Sequence, residues 1–220
     1  MQANAFGNGQ ANVVQDVASR RDQSIYSSVV LSDGGTGITT CFSGTKGQAI
    51  PLKGTATAAT HQKTYDKNTT NIVQSGQPGS GIGNLGVLAL GVTYEQCVVP
   101  TSSTTYGANA QDVGEMNSKL ALELKIAGNS FDVGPAWMFP SLGGTSGFVA
   151  STATNVTESI AQNGNGSRAR AYSVPVLIGQ SQSIEAEFSI TGTLTFSQAG
   201  GDPTLVWVMM PAITLKEVVA

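Results

Sequence analysis

The sequence predicts an all-β fold, an antiparallel β-sandwich, and three observations carry that prediction. Apolar and polar residues alternate strictly in two heptads, Leu120–Ile126 and Ile184–Ile190. Period two sends alternate side chains to opposite faces of a strand, whereas a helix would scatter them around its axis. Other apolar runs are strand-sized, rich in β-branched residues and bounded by Gly-, Asp- and Pro-bearing turns. No stretch reads as a long helix.

In chain order, residues 1–24 read as an N-terminal arm rich in Asn, Gln and Gly. Val13, Val14 and Val17 fit one face of a short helix ending at Arg20-Arg21; a disordered tail is the alternative. Residues 25–220 form the sandwich domain. IYSSVVL opens it and stops at Asp33-Gly34-Gly35. GITTCF and QAIPL follow as short strands. Residues 53–83 read as one long polar loop, a length that implies function or hidden short elements. GVLALGVTYEQCVVP is a single strand, or one bent at Gly91, and TSSTTYGANAQDVGEM is a polar loop.

The cleanest pattern comes next. Leu120, Leu122, Leu124 and Ile126 share a face, opposite Ala121, Glu123 and Lys125. A turn at Gly128-Asn129 leads into SFDVGPAWMFP, where Pro135 and Pro140 limit strand length. Residues 141–170 form a second long connection, with one helical turn over Thr157–Gln162. Val174, Val176 and Ile178 then face one way, and Ile184, Ala186, Phe188 and Ile190 repeat the pattern. TGTLTF, TLVWVMM and AITLKEVV close the chain, with a turn at Gly200–Pro203. Nine or ten strands, joined by short hairpins and very long connections, suit a single jelly roll with long loops better than an up-and-down barrel.

Composition narrows function. Charged residues are 11% of the 220, and the formal net charge is −3. Soluble domains carry about 25% charged residues, so this surface is polar but weakly ionic, and copies of it can pack without repelling. No basic cluster exists beyond Arg20-Arg21 and Arg168/Arg170, too few cations to neutralise nucleic-acid phosphates. The N-terminus lacks a basic start and an apolar core, so it does not read as a signal peptide. No apolar run reaches membrane-spanning length. The two cysteines, Cys41 and Cys97, sit in strand-like contexts and read as buried thiols, with one disulfide as the alternative; no CxxC supports a metal.

Motifs for catalysis are sparse. Gly81–Gly86 spells GxGxxG, but a loop precedes it and a strand follows, the reverse of what a dinucleotide phosphate requires. His61 is the single histidine and lies in a polar loop without a GxSxG partner. Glu185 and Glu187 lie on the outer face of one strand, not across a cleft as glycosidase carboxylates must. Asp33 and Asp202 serve turns. Neither a catalytic residue nor a cofactor or metal site is expected. Trp137 and Trp207 read as core or subunit-interface residues beside methionines.

The second half, roughly residues 118–219, resembles jelly-roll capsid proteins of tailless phages, some membrane-containing and some with single-stranded DNA. The similar segments are LALELKIAGNSFDVGPAWMFPSLGGTSGF, YSVPVLIGQSQSIEAEFSI and LVWVMMPAITLKEVV. They carry an alternating strand, a G-P-x-W/M-x-P hairpin, a Gly-rich loop and a terminal strand. The chain departs from that pattern at Pro211-Ala212, where Gly is expected. The resemblance implies a non-enzymatic virion protein that self-assembles into capsomers of an icosahedral shell. Its partners would be copies of itself and other capsid or vertex proteins, with an internal membrane or the genome reached through the arm. Arg20, Arg21, Trp137, Met138 and Phe139 are the interface candidates. The competing expectation is a phage spike or adhesin-like sandwich that binds carbohydrate or a receptor, for which exposed loop aromatics such as Tyr65 and Tyr106 are needed.

Overall fold

The computed structural model describes residues 22–56, 64–96, 110–140, 146–149, 159–162, 170–196 and 204–215. The chain is an all-β sandwich. Its strands are β1 (Ile25–Leu31), β2 (Gly37–Cys41), β3 (Leu52–Lys53), β4 (Asn84–Gln96), β5 (Leu120–Ile126), β6 (Asn129–Pro135), β7 (Ser146–Val149), β8 (Ser159–Gln162), β9 (Arg170–Ile178), β10 (Ile184–Ile190), β11 (Thr204–Met210) and β12 (Ala212–Leu215). One sheet has the order β12-β4-β11-β1-β3, with β9 also on β4; the other has the order β2-β10-β5-β6; β7 and β8 pair with each other.

The antiparallel pairs nest. β1 pairs with β11, β2 with β10, β4 with β9, and β5 with β6. The chain therefore behaves as one long hairpin rolled over, early strands meeting late ones, with pairs falling alternately in the two sheets.

Both alternating heptads form the predicted strands, and they pair in full register from Ile184↔Ile126 to Ile190↔Leu120. Leu120, Leu122, Leu124, Ile184, Ala186, Phe188 and Ile190 face a core shared with Ile25, Val29, Leu31, Val92, Val206 and Val208 of the other sheet. On the outer face Glu123 and Glu187 stand directly opposite one another. Lys125 joins them, its Nζ 2.8 Å from Glu187 and 3.6 Å from Glu123. These carboxylates hold the lysine above its usual pKa, the Glu187 hydrogen bond being the main cause.

Several expectations need correction. A helix, α1 (Ala110–Lys119), occupies what reads as a polar loop. Ten residues with Gly114 inside are marginal as an isolated helix. Val113 and Met116 anchor it in the core, and Tyr94 Oη donates to Asn117 Oδ1 at 2.9 Å. Ser159–Gln162 is a strand, not a helical turn, paired with β7. TGTLTF is not a strand; its Leu194 exchanges backbone hydrogen bonds with Gly34 and Gly35, and Phe196 N–H donates to Asp33 Oδ1 at 3.0 Å. The hairpin after β5 turns at Ala127-Gly128, one residue earlier than read. Both have positive φ, 49° and 79°, as a tight hairpin turn requires.

The bend in β4 lies at Leu88–Ala89 rather than Gly91. Val87 pairs with Ala212 and Gly91 with Met209, so two residues of β4 face Pro211 alone. Proline has no N–H for the ladder and is tolerated at such a bulge; its carbonyl accepts from Leu88 N–H at 2.8 Å. The bulge reverses side-chain parity, which lets Leu85 and Val87 point inward before it and Leu90, Val92 and Tyr94 after it. The strand β12 thus continues β11 past Pro211 with no intervening loop.

The long 53–83 connection is partly a lid. Val30, Ile50, Tyr65 and Leu205 form a second small core on the outer face of β1. Tyr65 Oη donates to Ser28 O at 2.7 Å, and Ser28 Oγ donates to Thr69 O at 3.1 Å. Gly44 is required beneath it, because a Cβ there would sit 2.4 Å from the Tyr65 ring. Just before β1, Gln23 N–H donates to Ala212 O at 2.7 Å, so the chain is tied to the sheet from there; residues 1–21 lie outside the described residues.

Candidate assembly surface

The strands β6 and β9 are end strands of the two sheets, and side chains join them across one flank of the sandwich. Arg170 Nε lies 2.8 Å from Asp132 Oδ2. Tyr172 Oη donates to the same carboxylate at 3.3 Å, and the Tyr172 ring meets Phe131 edge-on at 5.8 Å. Burial, then the Asp132 charge, push the Tyr172 hydroxyl above its usual pKa. The Arg170 guanidinium also lies 5.4 Å from the Phe139 ring centre, a cation–π contact.

This flank is apolar where it meets solvent. Phe131 is 50% exposed, Val133 60%, Trp137 62%, Val174 74% and Leu177 66%. Scattered single apolar residues are ordinary on a protein surface; four of these lie on the two end strands and Trp137 in the turn after β6, a concentration that is not ordinary.

A bulge produces it. Ile126 pairs with Asn129 and Lys125 with Ser130, but Leu124 pairs with Asp132. One extra residue enters β6, turning Asp132 toward the core face beside Leu124 and leaving Val133 opposite Glu123 on the outer face. An unbulged hairpin would place Phe131 and Val133 inside. On β9 the register with β4 shifts between Val87 and Ala89, and Tyr172–Pro175 leave the ladder. Val174 is therefore exposed, not aligned with the buried Val176 and Ile178 as its spacing predicts. Bulges, Pro135, Pro175 and an inward-turned charge are devices that stop an edge strand from recruiting another strand. Backbone addition is discouraged here while the side chains remain open.

Among the interface candidates, Trp137 is exposed in the 3-10 turn Ala136–Met138 that follows β6, Met138 packs partly against the core, and Phe139 is fully buried within the chain. Arg20 and Arg21 lie outside the described residues, as do His61, Cys97, Tyr106 and Asp202; the Trp207 side chain is likewise outside them. Phe131, Val133 and Leu177 were not singled out by sequence, and Val174 was read as sharing a face with Val176 and Ile178; Phe131 and Val133 flanking a lone Asp in a strand was the available signal. Tyr65 is 1% exposed, so it offers no ring to a sugar. Cys41 is a free buried thiol whose pKa burial raises. Glu187 is held by Lys125 on the outer sheet face, away from any cleft with Glu185. The GxGxxG segment is a turn running straight into β4. Among the described residues no three His, Cys, Asp or Glu side chains gather as a metal site, and no helix is long and apolar enough to cross a membrane.

Comparison with protein-family models, with curated proteins and with solved structures finds no match to this chain.

Proposed function

We propose that this chain is a structural subunit, wound as a single jelly roll, that assembles with copies of itself into the capsomers of an icosahedral phage shell. The observation that carries the reading is the β6/β9 flank. Four large apolar side chains, Phe131, Val133, Val174 and Leu177, stand at least half exposed on these two end strands, which the internally neutralised Asp132–Arg170 pair joins. Exposed apolar side chains concentrated on edge strands are a surface that a neighbouring subunit can cover. The guarded strand backbones favour closed, side-chain-mediated contacts over open-ended strand addition.

Two further observations support it. The nested pairing supports a double-sheet jelly roll, an architecture used in viral shells. The weakly ionic surface, with 11% charged residues, allows dense packing of like subunits. In this reading the protein resides in the virion beside other capsid or vertex proteins. The arm, with Arg20 and Arg21, ties neighbours together or meets the internal membrane or genome.

Electron microscopy and sedimentation of the purified full chain test the proposal. Ring-like capsomers or closed particles are expected, and Val133→Glu with Leu177→Glu should leave monomers of unchanged fold. Monodisperse monomers of the native chain under all conditions would overturn it.

A further inference from the structure

A groove of about 350 Å³ opens beside the start of β1, lined by Tyr26, Thr45, Lys46, Lys67, Thr70, Asn71, Ile72 and Val73. Its walls are fixed from within. The Asn71 side chain accepts from Tyr26 N–H at 2.9 Å and donates to Ser24 O at 2.6 Å. Thr70 Oγ1 donates to Tyr26 O at 3.2 Å, and Tyr26 Oη donates to Lys67 O. Asp66 Oδ1 accepts from the N–H groups of Asn68 and Thr69, which sets the turn carrying Lys67.

With those polar groups engaged, two ammonium groups and an apolar surface are left for a guest. Lys46 and Lys67 are exposed and, among the described residues, neither forms an ion pair. Among the described residues that line the groove none is a carboxylate, in a chain whose net charge is negative. Val73, 70% exposed, and the Tyr26 ring supply the apolar part.

We infer that this groove binds a phosphate monoester bearing a compact apolar body, the phosphate between Lys46 and Lys67 and the body against Tyr26 and Val73. Two cations on the groove wall match a group that carries about −1.5 to −2 charges at neutral pH. The volume lies at the lower end of the roughly 300–1,000 Å³ usual for small-ligand sites, so the body must be small. The site lies on β1, residues 45–46 and residues 67–73, outside the β6/β9 flank, and stands whether or not that flank mediates assembly.

Calorimetric titration of the full chain with phenyl phosphate tests it, with inorganic phosphate and phenol as the halves of the ligand. Saturable phenyl phosphate binding, tighter than either half, is expected. Lys46→Gln or Lys67→Gln should each weaken it by about tenfold, the worth of one charge-assisted contact. Both lysines are exposed, so an unchanged melting temperature verifies folding. Vesicles of phosphatidic acid separate the two sources of such a group. Co-sedimentation lost in the double variant assigns a lipid headgroup, and phenyl phosphate binding without co-sedimentation assigns a soluble ester. No saturable binding in either arm, or binding indifferent to both substitutions, overturns the inference.

Discussion

Arg170 and Asp132 form an ion pair across the open flank of the sandwich, Nε to Oδ2 at 2.8 Å, linking an end strand of one sheet to an end strand of the other. The Asp132 side chain is 8% exposed and the Arg170 side chain 37%. The pair therefore falls between a surface bridge, worth little, and a buried one, costly to break. Arg170→Met leaves a nearly buried carboxylate with, among the described residues, Tyr172 as its remaining partner, and should lower stability by about 1–2 kcal/mol. Urea unfolding measures it. Adding Asp132→Leu should recover part of the loss, a coupling that a double-mutant cycle isolates.

Ser27 is a buried polar residue on the core face of β1, and its Oγ accepts from Phe42 N–H at 3.0 Å. Phe42 is itself at φ 68°, a conformation disfavoured for a residue with a Cβ. Ser27→Ala should strand that buried N–H and cost about 1–3 kcal/mol. A shift of the urea midpoint with unchanged slope is the expected result; a silent substitution would mean that the donor finds another acceptor.

Cys41 is fully buried, and burial raises its thiol pKa. The thiolate is the reactive form, so Cys41 should resist a thiol reagent in the native protein at neutral pH and react once urea unfolds it. Peptide mapping of the labelled chain distinguishes it from Cys97. Labelling of native Cys41 as fast as a free thiol would contradict the burial.

Glu115 lies midway along α1, and its Oε1 accepts from Thr195 N–H at 2.8 Å. The Lys119 ammonium, hydrogen-bonded to it at i+4, holds its carboxyl below the usual carboxylate range, with help from Thr195 N–H. A carboxylate whose pKa is depressed by folding contributes stability above its unfolded pKa and loses it as pH falls through the folded value. Stability should therefore decline on acidification across that window. Glu115→Gln should flatten this part of the profile, as read by thermal melts from neutral to acidic pH.

Lys125 has the opposite sign. Glu187 and Glu123 raise its pKa, so its contribution is complete below the unfolded lysine pKa and is lost as pH rises through the folded one. Lys125→Gln should also leave Glu123 and Glu187 facing each other directly, like charges on opposed positions. A lower melting temperature, partly restored by Glu123→Gln, is the expected outcome.

The fold class and the two heptads were legible in the sequence because each strand there has one wet and one dry face, and that contrast is written locally as alternation. The strand β4 was legible only as an apolar run, because the Leu88–Ala89 bulge interrupts its period. Helix α1 was illegible: its Gly, Asn and Ser residues give little local preference, and Val113 and Met116 become helical by docking into a core built elsewhere. Tyr65 looked like a loop aromatic because nothing nearby in sequence signals the pocket under it.

By itself, the sequence determined that this protein is a two-sheeted β structure with a weakly charged surface, since side-chain alternation and composition are local properties. Tertiary structure alone decided which apolar residues stay outside. Phe131 and Val133 have the spacing of core residues. They are turned to solvent because one extra residue in β6, against Leu124 and Lys125 of β5, reverses their facing. A one-residue shift in pairing sends every following side chain to the other face, so the facing is decided by the register formed in the folded hairpin.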